Sequence, residues 1–258
     1  METDMRIALV GCVVMNREIS YLISGSRNQV RTWWLEQGLH NTPDLLRVEV
    51  QKKIDEIEKE NAKAERGLGF DAIVLAYGLC SNGVLGLRSR SLPVIVPRCD
   101  DCISLFLGSA DRYRALFAKL PGTYWYNAGW IEYAFVPCRE KYDALREEYA
   151  EKYGEDNADY LMECNESWMR EYNGCCYITC PLEGVPDYED FAKRAAEEFG
   201  WKYSKVDGKM EYLDELVNGP WSDEHFLTCP PGSEIIADYS NRKFRSAPYT
   251  IDDRETTG

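Results

Sequence analysis

Two short apolar runs, each stopping at a polar turn that carries cysteine, constrain this chain more than any other feature. The first is DAIVLAY (Asp71 to Tyr77), which halts at Gly78-Leu79-Cys80-Ser81-Asn82-Gly83. The second is LPVIVP (Leu92 to Pro97), which halts at Arg98-Cys99-Asp100-Asp101-Cys102. Short runs without alternation suit strands covered on both faces, as in a parallel sheet. In open α/β sheets the ligand sits outside the carboxyl ends of the strands. Cys80 and Cys102 therefore fall where such folds place chemistry.

The rest of the first half reads as alternating strand and helix. Met5 to Val10 is a buried strand ending at Gly11-Cys12, and Asn16 caps a helix to about Ser24. Val30 to Leu35 is a second strand. Thr42 then caps a helix with Pro43 at its first position, where proline is preferred. Leu46, Val50, Ile54 and Ile57 share one face of that helix, which runs to about Arg66. ISLFLG after Cys102 reads as a buried helical turn, followed by a helix from Ser109 to Pro121. This alternation predicts a parallel sheet with right-handed crossovers.

A second half follows. Its elements are a strand at Thr123 to Asn127, a mostly helical stretch from Cys138 to Tyr172 and a strand at Cys176 to Cys180. A helix at Asp187 to Phe199, the strand WKYSKV, a helix at Met210 to Val217 and a last strand in HFLTCPPG complete it. The expected architecture is an α/β protein of two Rossmann-like halves facing one cleft. The first, residues 1–120, carries the cysteine motifs; the second is 121–240, and 241–258 is a polar tail that frays.

Ten cysteines are many for a chain without a secretory signal. In a reducing compartment, clustered cysteine points to metal or redox chemistry rather than disulfides. The plainer alternative is a small buried hydrophobe, preferred here for Cys138, Cys164 and Cys176. Cys12, Cys80 and Cys102 each fall at or just past a strand end. If those strands are neighbours, the three thiols converge on one sheet edge. Three thiolates with one open position suit a 4Fe–4S cluster with one exchangeable iron, or a catalytic zinc. The alternative is a structural or purely redox role. CDDC alone is a weak redox signature, and it lacks the helix-start context of a thioredoxin-like pair.

Around these thiols, Tyr77, Gly78, Ser81, Asn82 and Gly83 form a turn with backbone room and polar groups for a ligand. It is no recognised phosphate loop. Arg98 and Asp101 are positioned to bind an anionic group, or simply to pair with local charges. His40, one of only two histidines, reads as an acid/base, a metal ligand or a hydrogen-bonding group at the helix entry. Cys180 and Cys229 end later strands and offer a fourth ligand if the halves close together. A net charge of −14 argues against nucleic acid. No apolar run is long enough to span a membrane, so a cytoplasmic location is expected.

GLHNTP, YGLCSNGVLGL, PRCDDCISLFLGS and GTYWYNAGWI, in this order and spacing, resemble the domain of unknown function 1638 (DUF1638) family. The resemblance runs from about Ile7 to Gly232. Carried over by motif, it points at Cys12, His40, Cys80, Arg98, Asp101, Cys102, Gly108, Gly129 and Trp130. The family usually lacks cysteine at position 99 and often has histidine where this chain has Asp100, so Cys99 is a poorer ligand than Cys102. The resemblance brings no settled activity, only an association with corrinoid-dependent methyltransferase systems of anaerobes.

The expected function is a metal-thiolate enzyme of anaerobic metabolism, acting on a small molecule. Cys12, Cys80 and Cys102 hold a 4Fe–4S cluster, His40 is acid/base, Arg98 and Asp101 assist, and Tyr77 and Trp130 line the site. The chemistry is lyase- or desulfidase-like. The alternatives are a zinc-thiolate methyltransferase and a non-catalytic accessory protein, with a corrinoid protein or methyltransferase as partner.

Overall fold

The computed structural model describes residues 4–240 and 242–249. In chain order, β1 (Arg6–Cys12) leads through a 3-10 turn to α1 (Asn16–Gly25) and β2 (Gln29–Leu35). A second 3-10 turn, Gln37–Asn41, precedes α2 (Pro43–Asn61). Then come β3 (Ala72–Ala76), the two-residue β4 (Arg88–Ser89), β5 (Val94–Pro97), α3 (Cys102–Phe106) and α4 (Ala110–Lys119). Next are β6 (Thr123–Tyr126), α5 (Ala128–Tyr133), α6 (Arg139–Tyr153), α7 (Glu155–Glu166) and β7 (Gly174–Thr179). The chain ends with α8 (Glu189–Phe199), β8 (Lys202–Asp207), α9 (Glu211–Asn218), β9 (Phe226–Cys229), β10 (Ser233–Ala237) and β11 (Phe244–Pro248).

The architecture is mixed α/β around a mostly parallel five-stranded sheet of order β2-β1-β3-β5-β9. β1 lies parallel between β2 and β3, and β3 lies parallel to β5. Parallel neighbours need a crossover, and α1 and α2 supply the first two. Ile7 to Val10 and Ala72 to Ala76 are fully buried, which is why their sequences are apolar without alternation. Leu46, Val50, Ile54 and Ile57 of α2 are buried, as their spacing predicts.

The chain forms two compact units, one of residues up to Ala110 with those from Met210 onward, the other Asp111–Lys209. Residues 210–240 thus belong with the first unit rather than with a contiguous 121–240 half. The reason is β9, which pairs antiparallel with β5 and brings the late chain back to the first sheet. β9 is also not the last strand. β10 pairs antiparallel with both β11 and β4 in a small second sheet. The expected fraying from Asn241 therefore fails at Phe244–Pro248, where Phe244 is fully buried. The tail from residue 250 lies outside the described residues.

The second unit holds the parallel sheet β6-β7-β8. Tyr126, Cys175 and Tyr177 pack there with Ala192 and Ala195 of α8. Asn127 follows β6 and caps α5, its side chain accepting from the Trp130 amide at 2.9 Å.

Several local expectations change. Asn16 lies inside α1 rather than capping it, because the chain has already turned through Val13–Met15. Thr42 precedes α2 without a side-chain capping bond. α2 stops at Asn61, short of Arg66; the Asn61 carboxamide accepts from the Phe70 amide at 2.6 Å and closes the loop toward β3. Cys138 and Cys176 are buried, but Cys164 is exposed on α7.

Candidate functional site

Cys12 is the last residue of β1. Gly11 pairs with Ala76 in the β1–β3 register, so Cys12 and Tyr77 are the next step along neighbouring strands. Gly11 has no room for a side chain: a Cβ there would lie 2.8 Å from that of Ala76. After β3 and β5, two backbone hydrogen bonds zip the cysteine turns together. The Leu79 amide donates to the Cys99 carbonyl at 2.8 Å, and the Cys80 amide to the Asp100 carbonyl at 2.9 Å. Gly78 lets the turns approach this closely.

Within the first turn, Cys80, Ser81 and Asn82 have φ of 45°, 55° and 70°. Three successive non-glycine residues thus occupy the left-handed region, at a cost of roughly 1–2 kcal/mol each. Strain of this kind persists only where the surroundings over-determine it, and it gathers at functional sites. Part of the restraint is Arg47, whose guanidinium donates to the Asn82 carbonyl at 3.2 Å. The Cys80 side chain turns inward, whereas Ser81 and Asn82 are exposed. In the second turn, Asp101 caps α3, its carboxylate accepting from the Ile103 amide at 3.0 Å. That cap fixes the first helical residue, Cys102.

Tyr77 is influenced by all three sulfurs. Its hydroxyl is buried and has no hydrogen-bond partner among the described residues. Burial raises its pKa well above the usual value, and the Cys12, Cys80 and Cys102 thiols push in the same direction. One hydroxyl therefore lies within electrostatic range of all three. Ser104, one α3 residue past Ile103, adds a second fully buried hydroxyl without a partner among the described residues. Sequence reasoning missed it; its only signal is a lone serine inside the apolar run ISLFL.

Cys12, Cys80 and Cys99 are held as protonated thiols. Burial pushes Cys12 up to about 11, and burial with the nearby Asp101 charge pushes Cys80 up to about 12. Cys99, fully buried, is raised for the same reasons. None of the ten cysteines is in a disulfide. Among the described residues, no three His, Cys, Asp or Glu side chains are grouped to hold a metal ion. The donor chemistry nevertheless suits a soft cation: buried sulfurs, with the Tyr77 hydroxyl in electrostatic range of them.

Other expected site residues lie elsewhere or have other duties. Arg98 is buried, and its guanidinium donates to the carbonyls of Asp223, Phe226, Arg242 and Phe244 and to the Asp223 carboxylate. It stitches β9 and β11 onto β5, and among the described residues these bonds leave one of its N–H groups for an anionic ligand. Cys229 faces Val94, at the amino end of β5. That is the edge opposite the cysteine turns, roughly 10 Å away at about 3.3 Å per residue, so it is no fourth ligand. Trp130 and Cys180 belong to the second unit, where Trp130 packs edge-on to Tyr124 at 6.5 Å. His40 sits half-buried in the 3-10 turn before α2, and burial lowers its pKa toward the neutral imidazole.

A family model described as "Protein of unknown function (DUF1638)" matches residues 34–217. That span includes His40, Cys80, Cys102 and Trp130 but not Cys12. No curated protein and no solved structure matches the chain. Among the described residues, no helix is long and apolar enough to cross a membrane.

Proposed function

This chain belongs to the DUF1638 family, and we propose that it is a metal-thiolate enzyme built on a Rossmann-like sheet. In this reading Cys12, Cys80 and Cys102 hold a 4Fe–4S cluster at the carboxyl edge of that sheet. The carrying observation is the Tyr77 hydroxyl, buried, unpartnered and within electrostatic range of all three thiols. When bound, a cluster with an exchangeable iron supplies Lewis acidity toward a sulfur or oxygen atom of a small substrate.

The chain's own residues do the rest. Asp101 locks the first turn of α3 and so fixes Cys102. Gly78 holds the two cysteine turns in register, and the left-handed turn aims Cys80 inward. Tyr77 and Ser104 are buried donors for a substrate atom or for a sulfur ligand. The neutral imidazole favoured at His40 is the form a general base requires. Thiol ligands bind as thiolates, so Cys12 and Cys80, which burial holds protonated, lose their protons on loading. A cytoplasmic, anaerobic setting, with a corrinoid protein or methyltransferase as partner, remains part of the proposal.

Iron, acid-labile sulfide and zinc are measured on protein purified without oxygen. About four iron and four sulfide per chain support the cluster. About one zinc without sulfide transfers the site to zinc-thiolate chemistry. Neither metal, with all three thiols alkylated freely after mild unfolding, overturns the reading.

A further inference from the structure

The second unit contains a cavity of about 450 Å³ on the α7 side of its aromatic core. Tyr172, Phe199 and Trp201 line it, together with Met162 and Met169. The rings are held in place by one another. Trp201 packs on Phe199 at 5.1 Å and on Tyr172 at 6.2 Å, and Tyr124 stacks against Trp201 at 5.9 Å. The lining is thus a preorganised aromatic surface rather than a loose gap.

Its charge is one-sided. Three carboxylates, Asp159, Glu163 and Glu166, face one guanidinium, Arg170. Asp159 pairs with Arg146 at 2.7 Å, which it shares with Glu155, and Glu163 pairs with Arg170 at 3.4 Å. Glu166 is half-buried and has no ion-pair partner among the described residues. A carboxylate left this way beside aromatic rings favours a cation over an anion or a neutral solute. A compact, strongly hydrated cation gains little from rings and thioethers. A cation whose charge is spread over alkyl groups meets all three kinds of wall, since aromatic faces attract it and methionines pack against its methyls. Cavities of this size commonly hold small ligands.

We propose that this cavity binds a small alkylated ammonium cation, with Glu166 as counter-charge and Tyr172, Phe199 and Trp201 as the aromatic wall. All its lining residues belong to the second unit, none of them is a cysteine, and the proposal does not depend on metal.

The test is calorimetric titration of the full chain with choline and with its neutral carbon isostere, 3,3-dimethyl-1-butanol. Saturable choline binding, with the isostere weaker by about tenfold or more, supports the site. Glu166→Gln weakens choline roughly fivefold and leaves the isostere unchanged. Tyr172→Leu weakens choline as well, with circular dichroism checking that the unit is folded. If Tyr172→Leu misfolds, Glu166→Gln decides alone. Equal binding of the two probes, no saturable binding of choline, or full choline affinity in Glu166→Gln overturns the proposal.

Discussion

Gly78 and Asp101 touch backbone to backbone: a Cβ on Gly78 would lie 2.8 Å from the Asp101 nitrogen and 2.9 Å from its Cα. Neither neighbour is the movable end of a side chain. Gly78→Ala must therefore push the two cysteine turns apart. The expected loss is about 1–3 kcal/mol of stability, with weaker metal loading because Cys80 and Cys102 move relative to each other. Thermal denaturation and metal content of one preparation check both.

Alanine at Cys12, Cys80 or Cys102 is expected to abolish metal loading in each case. Cys229→Ala is expected to retain it, since that residue lies at the other end of β5. Full retention in two of the three site variants removes the site.

Relieving the left-handed turn has the opposite sign. Ser81 is exposed with φ 55°, and glycine adopts that conformation without penalty. Ser81→Gly is expected to raise stability by about 0.5–1 kcal/mol, the relief of strain less the added freedom of the unfolded chain. Denaturant unfolding reads the shift; a destabilised variant contradicts the strain.

Metal-free protein should lose stability in alkali. The folded pKa values of Cys12 and Cys80, about 11 and about 12, lie above the ordinary thiol value of 9.0. Between these values the unfolded chain binds fewer protons than the folded one, so the stability falls as pH rises. The contribution is full below about pH 9 and is lost by about pH 12. Unfolding midpoints from pH 7 to 11 test this, with Cys12→Ala expected to flatten the slope.

Arg98→Lys is expected to destabilise by about 3 kcal/mol. A single ammonium cannot replace a fork that serves four carbonyls, two of them buried, from two distant segments. Asp223→Asn removes only the exposed partner and should cost far less. Near-equal effects would mean that the ion pair, not the fork, holds β9 and β11.

Much of the first sheet was legible in the chain. Ile7 to Val10 and Ala72 to Ala76 are apolar without alternation because both their faces are covered, and that condition is local to each run. The cysteines stand at the ends of such runs, so Cys12, Cys80 and Cys102 are placed at strand ends by sequence alone. Pro43 and the spacing of Leu46, Val50, Ile54 and Ile57 define α2 in the same way.

What sequence could not determine depends on partners far along the chain. That β9 returns antiparallel to β5 is set by packing between segments more than a hundred residues apart. That return makes Arg98 a stitch rather than an open anion site and carries Cys229 to the wrong edge. The left-handed turn at Cys80–Asn82 carries no glycine to announce it; the tertiary contacts around it hold it there. The unpartnered hydroxyls of Tyr77 and Ser104 follow from the same cause. A side chain's polarity is written in the sequence, but whether it finds a partner is decided only when the chain has folded around it.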